Sequence, residues 1–150
     1  MTSRRFALEH HQHIAGSAAA AYALVADVAR RPEWLRELKR VDGPGRPVVE
    51  GDRFQGESSL LLHDFIGTSE VTKAEPGRAL VEEVVLGARF VSEWTFEPAG
   101  HGATVTHRVD IDFPGGPFGR LERWVLRRRL AAMQRSSLRA LAEAVSRAAS

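Results

Sequence analysis

The C-terminal stretch of the chain, residues 117 to 149, constrains the fold more than any other part of the sequence. After Gly119 it contains neither proline nor glycine, which predicts one uninterrupted helix. About 30 helical residues at 1.5 Å each extend roughly 45 Å, so such a helix either protrudes from a domain of this size or bends. The residues before it have mainly strand patterns. We therefore expect a curved sheet that closes around a single helix.

The apolar residues of this helix fall on two different sides. At 100° per residue they form two stripes that are roughly opposite: Phe118, Leu121, Trp124 and Val125 in the first, and Leu126, Leu130, Met133, Leu141 and Val145 in the second. The change of side near residues 127 to 129 predicts a bend, or a first segment that packs against something other than the sheet. The second half should be the part that the sheet grips.

Length and composition indicate one domain covering residues 1 to 150. A chain of 150 residues suits a single core, and the lack of cysteine excludes disulfides and thiolate metal sites. No apolar run approaches the roughly 20 residues that span a bilayer, and the N-terminal residues lack the apolar region of a signal peptide. These features predict a cytoplasmic protein without integral membrane association.

Charge is distributed unevenly along the chain. Residues 115 to 150 contain eight arginines and two glutamates, a net charge of +6, whereas the whole chain carries only +2. A basic helix of this kind attracts a phosphate, an acidic protein or a membrane surface, or it is simply a solvated face. No nucleic acid partner is expected, because no aromatic residues interleave with a basic strand surface and no recognised motif is present.

A strand and two short helices are predicted for the first part of the chain. Apolar and polar side chains alternate from residue 6 to residue 14, the period of a half-buried strand. Ser17 is placed to cap a first helix. A second short helix should start near Pro32, because proline is favoured at a first helical position, and carry Trp34 and Leu38.

From residue 53 onwards, short runs with alternating polarity and turn residues between them predict an antiparallel meander. In the fifth strand both faces mix apolar with acidic residues, so either Glu83 or Glu82 faces inward. The side chains expected on the inner face of the other strands include Phe54, Ser58, Leu60, Phe65, Ser69, Phe90, Ser92, Trp94, His107 and Val109.

Particular motifs then resemble a known family. They are L-V-A-D-V with Trp34 seven residues after Asp27, G-D-R-F, S-E-V-T-K-A-E-P-G-R-A-L, S-E-W-T-F-E-P-A-G-H-G-A-T-V-T, and L-R-A-L-A-E near the end. In this order and spacing the sequence resembles the SRPBCC superfamily. That group includes START lipid-transfer domains, birch-pollen-allergen-like proteins and polyketide cyclase/dehydrase proteins. The resemblance covers about residues 6 to 145.

The resemblance implies an α+β helix-grip fold. In this fold a seven-stranded curved antiparallel sheet wraps around a long C-terminal helix, with two short helices after strand 1 and a deep, mostly apolar cavity between sheet and helix. Proteins of this group bind lipids, hormones or polyketides there, and some catalyse cyclisation, aromatisation or dehydration. Because one fold hosts many functions, the activity has to be argued from the cavity.

Three titratable residues are candidates for catalysis: His107, His10 and Glu83. If the first strand pairs with the last one antiparallel, as in the family, a register in which residue numbers sum to roughly 117 brings His10 opposite His107, about 5 Å away. Two imidazoles, or His107 with Glu83, would serve as general acid and base in a cyclase or dehydratase. The alternative is one or two buried histidines with hydrogen-bonded partners and no chemistry.

A hydrophobic small molecule, polyketide- or lipid-like, is the expected ligand, with no cofactor and a monomer or homodimer as the assembly. The side chains predicted to contact it are Trp34, Phe54, Ser58, Leu60, Phe65, Ser69, Val85, Phe90, Ser92, Trp94, Val109, Met133, Gln134 and Leu138. His11 and His13 have a spacing that can hold a metal, but a solvated outer face is favoured and no metal site is predicted. A third hypothesis is a partner or membrane surface on the basic helix.

Overall fold

A computed structural model describes residues 5–60, 63–112 and 119–149, without the side chains of residues 60, 63, 119 and 149. A 3₁₀ helix, Val28–Glu33, follows the first α-helix. The other elements are β1 (Arg5–Ile14), α1 (Ala18–Ala26), β2 (Leu38–Asp42), β3 (Arg53–Leu60), β4 (His63–Glu75), β5 (Ala79–Leu86), β6 (Ala88–Ala99), β7 (Gly102–Asp112) and α2 (Gly119–Ala149).

The strands form one antiparallel sheet in the order β1-β7-β6-β5-β4-β3-β2. Consecutive strands from β2 to β7 are neighbours, as a meander requires, and β1 closes the sheet against β7. Gly100, between β6 and β7, has a φ of 61°, which is the left-handed conformation that a tight hairpin turn needs. The predicted seven-stranded curved sheet with a long C-terminal helix is confirmed.

Helix α2 packs its second half into the main core. Leu138, Leu141 and Val145 are buried there together with Trp94 and with side chains of α1. A second, smaller cluster joins Leu126 and Leu130 of α2 to residues of β1 and β7. The sheet therefore grips the half of the helix predicted from the apolar pattern, and the fold is a helix grip.

The region between β1 and β3 is partly as predicted. The Ser17 hydroxyl caps α1 by accepting a hydrogen bond from the Ala20 amide at 3.0 Å. The second helix is shorter than predicted, because it ends at Glu33, before Trp34. Leu38 instead starts β2, where it pairs with Ser58 of β3. Pairing along the sheet edge thus overrides the local helical pattern.

The first half of α2 exposes its apolar stripe. Leu121 is 61% exposed and Trp124 is 56% exposed, while Leu126 packs against the sheet. The prediction that this first segment packs against something other than the sheet is wrong for Leu121 and Trp124, because both side chains face solvent. The alternative, a bend near residues 127 to 129, stays a prediction. Within the described residues, no helix is long and apolar enough to cross a membrane.

Candidate ligand cavity

A cavity of about 200 Å³ lies between α2 and the concave face of the sheet. Aliphatic and aromatic side chains form most of its wall. Its lining consists of Leu8, Glu37, Ser58, Val84, Leu86, Phe90, Ser92, His107, Val109, Leu130, Met133, Gln134 and Ser137. Side chains from five strands and one helix thus converge on a largely apolar space with a few polar groups, the usual form of a small-molecule site.

Gln134 of α2 organises the polar groups on one side of this cavity. Its amide nitrogen donates to the backbone oxygen of His107 at 2.8 Å and to that of Leu8 at 3.2 Å. Both acceptors are carbonyl oxygens, so only the NH₂ group of the amide fits on this side. The amide oxygen therefore points the other way and accepts a hydrogen bond from Nδ1 of His10.

The orientation of Gln134 fixes the protonation pattern of both histidines. Nδ1 of His107 lies 3.2 Å from the same amide nitrogen, whose two hydrogens are shared among this ring nitrogen and the two carbonyl oxygens. Because the NH₂ group can only donate, Nδ1 faces it without a hydrogen, and the hydrogen of the neutral ring sits on Nε2. Nδ1 of His10 carries a hydrogen, and its Nε2 faces Nη1 of Arg135 at 3.5 Å. The predicted pairing of His10 with His107 is confirmed. Their rings are bridged by an amide.

Ser92 and Trp94 hold the other side of the His107 ring. Nε2 of His107 donates to the Ser92 hydroxyl oxygen at 2.8 Å. The indole of Trp94 stacks on the imidazole, with ring centroids 4.0 Å apart and planes inclined by 27°. Since Ser92 receives its hydrogen bond from His107, its own hydroxyl hydrogen is available to an acceptor in the cavity.

His107 is a neutral side chain in this environment. Desolvation lowers its pKa to about 3, and the positive charge of Arg31 and the neighbouring His10 act in the same direction. An imidazole with such a pKa carries no charge near neutral pH and is a weak base. Its role in the cavity is therefore to donate one hydrogen bond and accept another.

This pKa predicts a stability that falls in acid. In the unfolded chain a histidine titrates near 6.5, so between about pH 6.5 and 3 the unfolded state binds one more proton than the folded state. Stability contributed by neutral His107 is complete above pH 6.5 and is lost at up to about 1.4 kcal/mol per pH unit as the pH falls towards 3. Urea unfolding of the wild type and His107→Gln at several pH values measures this slope.

The same prediction can be checked at the ring itself. We expect the imidazole C–H resonances of His107 to stay constant in NMR spectra between about pH 8 and 5. A His107 resonance that titrates near the pKa of an unfolded histidine would contradict this prediction. The same holds if the free energy of unfolding changes with pH equally in the wild type and in His107→Gln.

A buried ion pair lies on the same face of the sheet. Glu82 of β5 accepts two hydrogen bonds from the guanidinium of Arg31, one of them from Nη1 at 3.1 Å. Arg31 also donates from Nε to the Val25 carbonyl at 2.8 Å and lies over the Phe54 ring. The two charged side chains are only 7% and 4% exposed. The pair ties the 3₁₀ helix to the centre of the sheet.

Seven residues predicted for the site line the cavity together: Ser58, Phe90, Ser92, His107, Val109, Met133 and Gln134. His10 reaches their polar cluster through Gln134. Phe65 is half-buried opposite Ser58, and Ser69 is buried opposite Phe54.

Four other predicted ligand contacts, Trp34, Phe54, Trp94 and Leu138, lie in the packed core. Trp34 is 5% exposed and meets Trp94 edge to face, with centroids 6.3 Å apart. Phe54 and Leu138 are buried beside them in the same core cluster. The Leu60 side chain lies outside the described residues.

Glu83 and Val85 require a correction. Alternation along β5 turns Glu82 and Val84 to the concave face and Glu83 and Val85 to the outer face. Glu83 lies 3.9 Å from Arg89 in an exposed ion pair, and Val85 is 54% exposed. The inward orientation predicted for both is wrong. Burial of Glu82 on Arg31 sets the orientation of the strand.

Sequence reasoning missed several lining residues. Val84 and Leu86 were missed because the opposite face of β5 was expected to point inward, and Leu8 had only the general apolar alternation of β1. No sequence pattern pointed to Glu37, because it belongs to the connection before β2, which has no periodicity. In the structure the Ser137 hydroxyl of α2 donates to the Glu37 carboxylate at 2.8 Å, which places a carboxylate at the edge of the cavity.

Metal binding has no structural support in the described part of the chain. No group of three or more histidine, cysteine, aspartate or glutamate side chains there is arranged to hold an ion. His11 and His13 are exposed on the outer face of β1, as their alternation predicts.

A sheet that grips a C-terminal helix and leaves an apolar cavity with a small polar cluster defines a helix-grip protein of the SRPBCC group. The sequence matches a family described as polyketide cyclase / dehydrase and lipid transport over residues 5–146. The chain belongs to this family. No curated protein matches the sequence.

Several solved structures share the fold. The protein TTHA0849 from Thermus thermophilus superimposes with a TM-score of 0.85 at 18% identity, covering 97% of this chain and 100% of its own. The Zhui aromatase/cyclase from Streptomyces sp. R1128 gives 0.84 at 14% identity, covering 98% and 97%. Ara h 8.0201 gives 0.68 at 10% identity, covering 94% and 97%. At these identities the likeness establishes the fold alone.

Proposed function

We propose that this protein binds a hydrophobic small molecule, polyketide- or lipid-like, in the cavity between α2 and the sheet. The observation that carries the proposal is the cavity itself, whose wall is formed by side chains such as Val84, Phe90 and Val109. Apolar surface that faces an open space is stabilised when a ligand removes it from water. Membership of the family supports the same ligand class.

The polar cluster narrows the chemistry of the ligand. Ser92 presents a hydroxyl hydrogen, whereas the nitrogens of His107 and the amide of Gln134 are engaged with protein partners. A ligand with a carbonyl or phenol oxygen beside its apolar body would accept this hydrogen bond. We therefore infer an apolar molecule with an acceptor oxygen at one end.

The dimensions of the cavity favour a compact ligand. Its volume of about 200 Å³ is below the roughly 300–1,000 Å³ typical of sites for drug-sized molecules. A two-ring aromatic body or a short acyl chain suits this space better than a long lipid chain.

Acid–base catalysis by His107 has less support than binding. A general base works best with a pKa near the operating pH, and the pKa of His107 is lowered to about 3. Its two ring nitrogens already face Ser92 and Gln134. Glu83, the carboxylate proposed as its partner, lies on the outer face of the sheet. We therefore propose a binding function without His107-driven cyclisation or dehydration.

Filling the cavity should weaken ligand binding strongly. Val84→Phe places a ring in the cavity, whereas Val85→Phe adds the same ring on the outer face one residue away. We expect the first variant to weaken binding roughly tenfold or more and the second to bind like the wild type. Calorimetric titration with acetonaphthone, a two-ring ketone, measures the affinity.

The ligand itself provides a second comparison. Ethylnaphthalene has the same rings but lacks the ketone oxygen, so it cannot accept a hydrogen bond from Ser92. We therefore expect the wild type to bind acetonaphthone roughly threefold to tenfold more tightly than ethylnaphthalene. Equal binding by the Val84→Phe and Val85→Phe variants would place the ligand elsewhere. Native mass spectrometry of protein purified from its own host then identifies the natural ligand.

A further inference from the structure

The first half of α2 carries an apolar stripe on its solvent side. Leu121, Trp124 and Val125 are 61%, 56% and 36% exposed, and they follow the i, i+3, i+4 spacing of one helix face. The opposite face of the same segment, with Leu126, packs on the sheet. A large aromatic and two aliphatic side chains exposed side by side on one helix are a typical interaction surface.

Arginines surround this stripe. Residues 119 to 135 contain six arginines and one glutamate, a net charge of +5. The Arg128 guanidinium lies 4.9 Å from the centroid of the Trp124 ring, whereas Arg123 lies on the sheet side of the helix, 5.8 Å from the centroid of the buried Phe6 ring. The surface formed by Leu121, Trp124, Val125, Arg128 and Arg129, which we term the basic stripe, therefore combines exposed apolar groups with positive charge.

We propose that the basic stripe docks the protein on an anionic membrane surface. Helices that lie in the plane of a membrane interface place tryptophan and leucine at the boundary of headgroups and acyl chains, and arginines along the polar flank contact acidic headgroups. The long arginine side chains can extend along apolar surface while their charged ends stay at the headgroups.

A second copy of the chain fits this surface less well. In a twofold dimer the same patch meets itself, so the arginines of one basic stripe would face those of the other. Repulsion between these arginines opposes that contact, whereas anionic headgroups neutralise their charge. Charge complementarity therefore selects an anionic occupant.

The position of the basic stripe also suits delivery of a ligand, a point that rests on the proposed function. Leu130 and Met133 line the cavity on the same helix as Trp124. The six residues from Trp124 to Leu130 correspond to a rise of about 9 Å. A membrane held at the basic stripe would thus lie close to the cavity, where an apolar molecule can pass without a long path through water.

Co-sedimentation with lipid vesicles tests the docking. We expect the wild type to bind vesicles of phosphatidylcholine mixed with phosphatidylglycerol and to bind pure phosphatidylcholine weakly. Each arginine near an anionic surface contributes about fivefold in affinity, so Arg128→Gln with Arg129→Gln should reduce binding about 25-fold. The control double variant, Arg40→Gln with Arg53→Gln, removes the same charge from exposed strand residues and should bind like the wild type.

The apolar contribution has its own readout. Trp34 and Trp94 are buried, so tryptophan emission that shifts to the blue on vesicle addition reports Trp124 leaving water. Leu121→Ser should weaken vesicle binding, whereas Ile66→Ser, at a site 72% exposed on β4, should not. The Val84→Phe variant should dock normally while losing ligand, which separates this proposal from the cavity function.

Four results would overturn the proposal. The first is a failure of the wild-type protein to bind anionic vesicles. Another is vesicle binding that stays unchanged when Arg128 and Arg129 are both replaced by glutamine. The third is a dimer in analytical ultracentrifugation that Leu121→Ser dissociates, because it would assign the basic stripe to a second copy. Binding to an acidic protein with no affinity for vesicles would equally replace the membrane as its occupant.

Discussion

Arg31→Met should lower the free energy of unfolding by about 3–5 kcal/mol, whereas Arg30→Met should leave it nearly unchanged. The two arginines are adjacent in the 3₁₀ helix, but they have opposite environments. Arg31 is buried on Glu82, while Arg30 pairs with Glu33 at 3.0 Å on the surface, with side chains 66% and 61% exposed.

The large effect comes from the charge that the substitution leaves behind. Without Arg31, the Glu82 carboxylate is 4% exposed on the inner face of β5 and has lost both of its hydrogen bonds to the guanidinium. An uncompensated buried charge costs several kcal/mol, and the Val25 carbonyl loses its partner as well. An exposed glutamate such as Glu33 is instead solvated by water when its arginine is removed.

Urea unfolding of the wild type and three variants separates these contributions. Besides the two single substitutions, Arg31→Met with Glu82→Leu removes the pair together and should recover most of the lost stability, because apolar groups of similar size commonly replace a buried ion pair without loss. Equal stability of Arg31→Met and Arg30→Met would contradict a buried pair. A double variant no more stable than Arg31→Met would mean that packing of Arg31 on Phe54, rather than its charge, is responsible.

The register of β1 against β7 could be predicted from the sequence because both strands alternate clearly. In each strand the apolar side chains occupy every second position, so a shift by one residue would turn the whole apolar set to solvent. The structure pairs His10 with His107 as this argument and the family topology require. The grip on the second half of α2 was predictable for the same reason, since Leu141 and Val145 repeat at helical spacing.

The orientation of β5 could not be predicted in this way. Both of its faces mix valine or leucine with glutamate, so local alternation gives equal weight to Glu82 and Glu83. The deciding contact comes from Arg31, which is 51 residues away in the sequence. The Arg31 guanidinium reaches the concave face of the sheet only in the folded chain. Its pairing with Glu82 orients β5, and this orientation places Val84 rather than Val85 in the lining of the cavity.

The contact between Glu37 and Ser137 at the edge of the cavity could not be predicted from the sequence, for a similar reason. Glu37 lies in a connection without periodicity, and Ser137 is one of several small residues on α2. Their hydrogen bond joins positions 100 residues apart. Sequence patterns identify the elements that surround a site, whereas polar contacts between distant elements depend on tertiary packing.

Gln134→Leu should destabilise the protein by about 2–4 kcal/mol, which is the second large effect that we expect. The leucine has nearly the same shape but removes the donor to the Leu8 and His107 carbonyls and the acceptor for His10. A buried polar group left without a partner costs about 1–3 kcal/mol, and several lose theirs here. Gln12→Leu on β1 is the matched control, because its side chain makes only an exposed contact with the His13 carbonyl.

The two substitutions should also differ in the state of the histidines. Loss of the Gln134 amide removes the only described donor to Nδ1 of His107, so either neutral tautomer of the ring becomes accessible. In nitrogen NMR spectra His107 of the wild type and of Gln12→Leu should be the tautomer with hydrogen on Nε2, whereas Gln134→Leu should give a mixture. A Gln134→Leu protein as stable as Gln12→Leu, with an unchanged His107 tautomer, would mean that the sheet alone orients this ring and that the amide bridge is dispensable for the cavity.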